Sequence, residues 1–303
     1  MRKDREGRLR LKSRIMKAQK APQQVEGNMS DPTRDPAPHE VEPQADLIHR
    51  YAALGDSFTE GLMDGEGDSF TGWADRFAIA LSDSPLSTPE LQYANLAVRG
   101  KVLHQVIDEQ LTFALDTKPD LVSFVAGGND CMRPGAKVDE LASVVENSIV
   151  ALRREGIQVL MGNGYDTSAA SPLLRALRSR VAIYNSHLWT ISQRHGCYML
   201  DLWGTRRLYR PQMWAEDRIH LSSEGHAVVA EKALSTLLNR SAEKSGFKIP
   251  KQPAKPVRER IAHEALWVRE HFVPWVGRRI QGVSSGDSVT PKYPDYVPVS
   301  QIR

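Results

Sequence analysis

The sequence predicts an α/β protein in which a parallel sheet carries helices on both faces, spanning residues 46–242 of 303. Three observations predict it. From Leu47 to about Leu238, short apolar runs alternate with longer amphipathic stretches, the pattern of strands joined by crossover helices. Three of the apolar runs stop where polar motifs begin, at Gly55, Ala97 and Gly127. Such sheets open their ligand crevices at the carboxyl ends of strands, which is where those motifs fall.

Each element follows from its own pattern. Residues 48–54 read as a buried strand that Gly55 ends, and 72–81 as a helix. Residues 91–96 are a second strand, and 102–115 a helix. Residues 121–126 are a third strand, closed by Gly127-Gly128. A helix over 138–154 and a fourth strand over 157–161 follow. Residues 172–194 make a long helix and 197–200 a short fifth strand. Residues 222–238 form the closing helix, with Ser222 or Ser223 as N-cap, because a serine hydroxyl there satisfies an orphan amide.

The flanks have other characters. Residues 1–20 are dominated by Arg and Lys, and 21–46 by Pro, Asp, Glu and Gln. Neither stretch buries enough apolar surface to offset the entropy of ordering, so residues 1–45 are expected to be a disordered leader. A basic run is a solvated tail or a contact for nucleic acid or anionic membrane; the solvated tail is the expectation, and no nucleic-acid partner is assigned. Met29-Ser30-Asp31-Pro32 offers a second start. Residues 243–303 form a basic extension. Pro250, Pro253 and Pro256 mark a linker, and Ile261, Leu266, Trp267, Phe272 and Trp275 recur near helical spacing. That helix is expected to pack on the main domain, with a membrane surface or a partner as the alternative. Residues 282–303 are rich in Gly, Ser and Pro and read as loose.

Bulk properties exclude several classes. An apolar content of 41% supports a full core, and 25% charge is ordinary. The net charge of +3 gathers at the N-terminus and says little about the centre. Cys131 and Cys197 are the only cysteines, too few for a disulfide framework or a zinc-type cluster. His104, His187, His195 and His226 lack metal-ligand spacing, so neither metal nor cofactor is expected. No run approaches the roughly 18 apolar residues of a membrane span. No apolar segment follows the basic N-terminus as a secretory signal would require, so a cytoplasmic location is the default.

Four ordered motifs carry the chemistry: Gly55-Asp56-Ser57-Phe58-Thr59-Glu60-Gly61, Asn95-Leu96-Ala97-Val98-Arg99-Gly100, Gly127-Gly128-Asn129-Asp130 and Asp217-Arg218-Ile219-His220. Ser57 sits at a strand-to-helix turn whose glycine leaves the hydroxyl exposed. A hydroxyl is a poor nucleophile until a base accepts its proton. His220 is the best base, since imidazole titrates near neutrality. Asp217, three residues earlier in an irregular segment, can reach the second ring nitrogen and fix its tautomer. The amides of Ser57 and Gly100 and the side chain of Asn129 are candidate donors to an oxyanion. Taken singly, Ser57 reads as an N-cap, Asn129 as a turn residue, and Asp217 with His220 as a surface pair. Together they form one complete reaction centre. Asp56 and Asp130 are read as loop braces. The Gly55–Gly61 segment lacks the Gly-Lys-Ser/Thr ending of a phosphate loop. No Gly-x-Ser-x-Gly elbow surrounds Ser57, which speaks against an α/β-hydrolase.

On these four blocks the chain resembles the SGNH hydrolase superfamily, the GDSL esterases and lipases, over residues 47–240. With its leader and Trp-bearing tail it is similar to actinobacterial GDSL-like proteins. The resemblance implies a three-layer α/β/α flavodoxin-like fold with about five parallel strands. It implies metal-independent hydrolysis of carboxylic esters of small or medium acyl groups, in lipids or acetylated carbohydrates. Ser57, Asp217 and His220 would be the triad, and Ser57, Gly100 and Asn129 the oxyanion hole. An acyltransferase using the same triad, or a non-catalytic binding domain, are the alternatives. The pocket walls are expected from the loops at 62–70, 131–136, 164–171 and 203–216.

Overall fold

A computed structural model describes residues 47–66, 69–167, 173–240, 266, 268–272, 286 and 288–303. The leader and most of the expected Trp-bearing helix lie outside these residues. Six strands form the main sheet: β1 (Ile48–Gly55), β2 (Ser87–Asn95), β3 (Leu121–Val125), β4 (Gln158–Gly162), β5 (Tyr198–Leu200) and β6 (Tyr293–Pro298). Their spatial order is β5-β4-β3-β1-β2-β6, with the first five parallel. The central strands carry side chains of opposite faces into two separate cores. Ala52, Leu54, Val122, Phe124, Val159 and Met161 point to one core, whereas Tyr51, Ala53, Leu121, Leu160 and Leu200 point to the other. A sheet buried on both faces favours apolar residues on successive positions, which explains why the centres of these strands read as apolar runs.

Helices cover the two faces. One is short, α1 (Ser57–Glu60). The helix α2 (Trp73–Ser82) packs on the Tyr51 side. Leu103–Gln105, the π-helical Val106–Leu111 and Thr112–Thr117 run on as one rod, α3, on the Leu54 side. A second single turn follows β3, α4 (Gly128–Cys131). The long helices α5 (Val138–Arg154) and α6 (Arg178–Arg194) join α3, and α7 (Ser223–Leu237) joins α2. Ser222 is the N-cap of α7, accepting from the Gly225 amide. The result is the three-layer α/β/α architecture expected, with six strands rather than about five. Among the described residues, no helix is long and apolar enough to cross a membrane.

The sixth strand corrects, for residues 293–298, the reading of 282–303 as loose; residues 282–285 and 287 lie outside the described residues. β6 runs antiparallel to β2, pairing Tyr93 with Val297 and Asn95 with Tyr293. Tyr293 packs on Tyr93 with ring centroids 5.8 Å apart, and Tyr296 packs on Phe113 at 5.4 Å. Val299 is buried just beyond. Pro294 and Pro298 are tolerated because an edge strand has one unpaired side. Of the expected C-terminal helix, Val268–Phe272 is helical, and Val268 packs on a small cluster formed with Leu174, Leu177 and Ile219.

The end of β1 is fixed by one buried side chain. Gln110, in the π-helical part of α3, accepts from the Gly55 amide at 2.8 Å and donates to the Gly55 carbonyl at 2.9 Å. π-helical insertions are frequent beside functional sites. A β-carbon at Gly55 would stand 2.6 Å from both Thr59 Oγ1 and the Val125 carbonyl, so only glycine fits. Replacing Gln110 by Leu leaves two buried backbone groups unpaired and is expected to lower unfolding free energy by roughly 2–4 kcal/mol. Urea denaturation measures this; a loss below about 0.5 kcal/mol would mean that Gln110 is not the clamp.

Candidate active site

The strand order reverses between β1 and β3, and the loops leaving β1, β2 and β3 meet there. Asp56 caps α1, its Oδ1 accepting from the Phe58 amide at 3.1 Å, and Gly61 ends the turn at φ +93°. This places Ser57 at the first helical position with its side chain toward the cleft. His220 comes from the loop before α7. Arg218 adopts φ +54°, a left-handed conformation costly for a side chain of that size. The strained turn lets Asp217 fold back, where its Oδ1 accepts from the amides of Ile219 and His220, both at 3.0 Å.

The three side chains form a hydrogen-bonded line. His220 Nε2 is 3.0 Å from Ser57 Oγ, and Nδ1 is 2.6 Å from Asp217 Oδ2. Burial opposes ionisation of Asp217. The His220 ring and the two amides outweigh it and bring the carboxyl down to about 2. Asp217 is therefore a carboxylate throughout the working range, able to hold the ring with Nδ1–H toward itself and Nε2 toward Ser57.

Gly100 and Asn129 line the same cleft. Gly100 has φ +76°, which glycine adopts without a steric penalty. Asn129 Nδ2 donates to Asp56 Oδ2 at 3.0 Å and to the Lys101 carbonyl at 2.9 Å. Asp130 accepts from the Leu103 amide at 2.8 Å, tying α4 to the start of α3. Asp56 and Asp130 thus brace loops, as the sequence reading has it.

The cleft has a volume of about 470 Å³, within the usual range of small-molecule sites. Its walls are largely apolar, with Phe58, Leu62, Val125, Met132, Val181 and Tyr184 among them. Cys131 also lines it, but burial pushes its thiol up to about 12, so it is a neutral wall and not a rival nucleophile. Three of the four loops expected as walls contribute, through Leu62, Met132 and Tyr165 among others. The loop at 203–216 stands behind instead. Trp214 packs on Tyr165 at 4.5 Å and donates its indole N–H to the Leu208 carbonyl. Trp203 of the same loop serves packing too: the guanidinium of Arg178, from α6, lies 5.1 Å from the Trp203 ring centre.

Sequence reasoning missed the ion pair beneath the site. Glu60, buried at the end of α1, accepts from the Arg99 amide at 2.8 Å and from the guanidinium at 2.7 and 2.9 Å. Both residues lie inside quoted motifs, but nothing in the spacing of 39 positions shows that they meet. Among the described residues, no cluster of three or more His, Cys, Asp or Glu is arranged to hold a metal.

A model of the GDSL-like lipase/acylhydrolase family matches residues 53–228, more than half of the chain. The chain belongs to this family. As a member it is an esterase- or lipase-like hydrolase of carboxylic esters. Among solved structures, it is similar to an α/β hydrolase, LAE5, from the Lake Arreo metagenome, at 22% identity and a TM-score of 0.52 over 63% of this chain and 95% of that one. The acetylxylan esterase Axe2 from Geobacillus stearothermophilus gives 18% identity and a TM-score of 0.53 over 66% and 99%. The lipase Lip_vut3 from a goat rumen metagenome gives 18% and 0.50 over 62% and 96%. At these identities the likeness carries the fold alone. Among curated protein sequences none matches significantly.

One family-domain histidine makes acid stability testable. His226 is buried in α7, and its Nδ1 accepts from the Trp73 amide at 3.1 Å. Burial disfavours the cation and brings its pKa from 6.5 to about 4, although the negative charge of Asp64 pulls the other way. The unfolded chain then binds more protons between those values, so stability rises with pH across that window. Unfolding free energy is expected to climb by up to about 3 kcal/mol from pH 4 to 6.5, and His226→Gln to flatten the climb. An identical slope in the variant would remove His226 as its source.

Proposed function

We propose that this family member is a serine esterase that cleaves carboxylic esters of small or medium acyl groups through an acyl-enzyme. The observation that carries the reading is the unbroken line Asp217–His220–Ser57, opening on an apolar cleft. His220 Nε2 takes the Ser57 proton as Oγ attacks the ester carbonyl, and the ionised Asp217 stabilises the imidazolium that forms. The Ser57 and Gly100 amides and Asn129 donate to the oxyanion, with Asn129 exchanging its bond to the Lys101 carbonyl for the stronger charge-assisted one. His220 then protonates the leaving alcohol. Water enters, gives its proton to the same nitrogen and releases the acid, so Ser57 and His220 end as they began.

Apolar walls favour an acyl chain over a charged group. The similar structures named as an acetylxylan esterase and a lipase fall in the same reaction class. Gly128 is a position at which chain length could be limited by substitution: it lines the cleft, its φ is not left-handed, and a β-carbon there would meet no atom within 4 Å. A larger side chain at 128 would grow into the cleft without disturbing the fold.

Hydrolysis of p-nitrophenyl esters from acetate to decanoate tests these points together. Ser57→Ala is expected to abolish activity, and Asn129→Ala to lower kcat by roughly 10²–10³. Gly128→Leu is expected to keep acetate turnover and lose the longer esters. Equal rates in wild type and Ser57→Ala would sink the serine mechanism, and an unchanged length profile in Gly128→Leu would move the acyl site elsewhere.

A further inference from the structure

The C-terminal segment reaches the site from outside the residues the family model matches. Lys292, next to β6, lies mostly buried, its side chain 16% exposed. Its ammonium donates to the Glu60 carbonyl at 2.7 Å, to the Phe70 carbonyl at 2.8 Å and to the carboxylate of Asp75. All three hydrogens are thus directed at fixed acceptors. Asp75 is held in turn by the Gly72 amide at 2.8 Å and the Tyr93 hydroxyl at 2.9 Å.

Glu60 is the last residue of α1, the single turn that begins with Ser57. One turn is too short to hold its own shape, since nucleating a helix costs more than one hydrogen bond returns. Its far end is held from two sides instead. The Glu60 carboxylate binds the Arg99 amide and guanidinium, one residue before Gly100, and its carbonyl accepts from Lys292. The same C-terminal segment also presses on the Gly100 loop. A β-carbon at Gly286 would stand 2.0 Å from the Arg99 carbonyl, so that glycine lies directly against it. Two separate contacts therefore run from one segment to the two loops whose spacing would set nucleophile against oxyanion donor.

We infer that Lys292 is a positioning residue for ester cleavage, acting through Glu60 and Arg99 on the spacing of Ser57 and Gly100. The inference rests on the assignment of Ser57 as nucleophile. It makes the end of the chain part of the reacting unit rather than an appendage. A misplacement of about 1 Å far from the chemistry can cost about 10²-fold in rate, so small relaxations matter here.

The test compares full-length wild type, Ser57→Ala, Lys292→Met and Lys292→Gln. It measures kcat and KM on p-nitrophenyl esters, the rate of Ser57 labelling by a fluorophosphonate, and melting temperature. Lys292→Met is expected to lower kcat and labelling about 10- to 100-fold, with KM within about threefold, in a protein still folded at the assay temperature. Lys292→Gln keeps two N–H donors and is expected to recover part of the loss. Should Lys292→Met melt below the assay temperature, Lys292→Gln decides, with lowered kcat at unchanged KM supporting the inference. Wild-type kcat and labelling in a folded Lys292 variant, with Ser57→Ala inert, would overturn the inference alone. Activity and labelling retained in Ser57→Ala would overturn the serine assignment and the inference with it.

Discussion

The cleft edge of the sheet depends on where β1 stops. β1 is bonded to β2 on one side and β3 on the other, so its path is fixed up to Gly55. There the chain must leave the sheet within one residue if Ser57 is to face the cleft. Gln110 makes this exit possible by taking both backbone groups of Gly55 and acting as one more rung of the ladder. Gln110 does so from the π-helical part of α3, where it is buried against the end of β1. The crossover from β1 to β2 then runs through α2 on the Tyr51 face and the crossover from β2 to β3 through α3 on the Leu54 face, and the crevice lies where the strand order reverses.

Around this exit the loops are held by buried carboxylates rather than by apolar packing. Asp56 binds the Phe58 amide and Asn129, Glu60 binds Arg99, Asp75 binds Lys292 and Tyr93, and Asp166 binds Arg178. Buried ion pairs are poor sources of net stability, because desolvation offsets most of the attraction. Their value is directional. A carboxylate with several donors around it has one orientation, whereas an apolar contact tolerates sliding. Loops that would keep the proposed nucleophile, base and donors within tenths of an ångström need the first kind of restraint. The apolar sheet beneath supplies the stability that these loops do not.

Much of this was legible from residues alone, for identifiable reasons. The five parallel strands announce themselves because their central residues are buried on both faces and are mostly apolar, as in Tyr51–Leu54 and Val159–Met161. The motifs mark strand ends because glycines are needed where the chain turns, as at Gly55 and Gly100. β6 was not legible: two prolines and a Gly/Ser-rich approach conceal a strand whose support is cross-strand tyrosine packing with β2 and α3. Nor was the role of the 203–216 loop, an expected pocket wall. Trp214 instead buries against Tyr165, which holds the histidine loop through its hydroxyl on the Ile219 carbonyl at 3.1 Å. The Glu60–Arg99 and Gln110–Gly55 contacts are long-range choices of partner, and composition and periodicity carry no such information.

The state of Asn129 bears on how the proposed oxyanion site would favour a transition state over a substrate. Both partners of its amide nitrogen are already in place, one the Asp56 side chain and the other the Lys101 carbonyl. A neutral ester carbonyl is no better an acceptor than the Lys101 carbonyl, so exchanging one for the other gains nothing in the ground state. A developing oxyanion is better, since charge-assisted bonds are roughly twice as strong as neutral ones. The exchange becomes favourable only as charge accumulates. The donor would thereby strengthen the transition state selectively, which is the condition for raising kcat rather than lowering KM. Asp56, fixed by the Phe58 amide, holds the amide plane throughout, so the donor stays aimed while its partner changes.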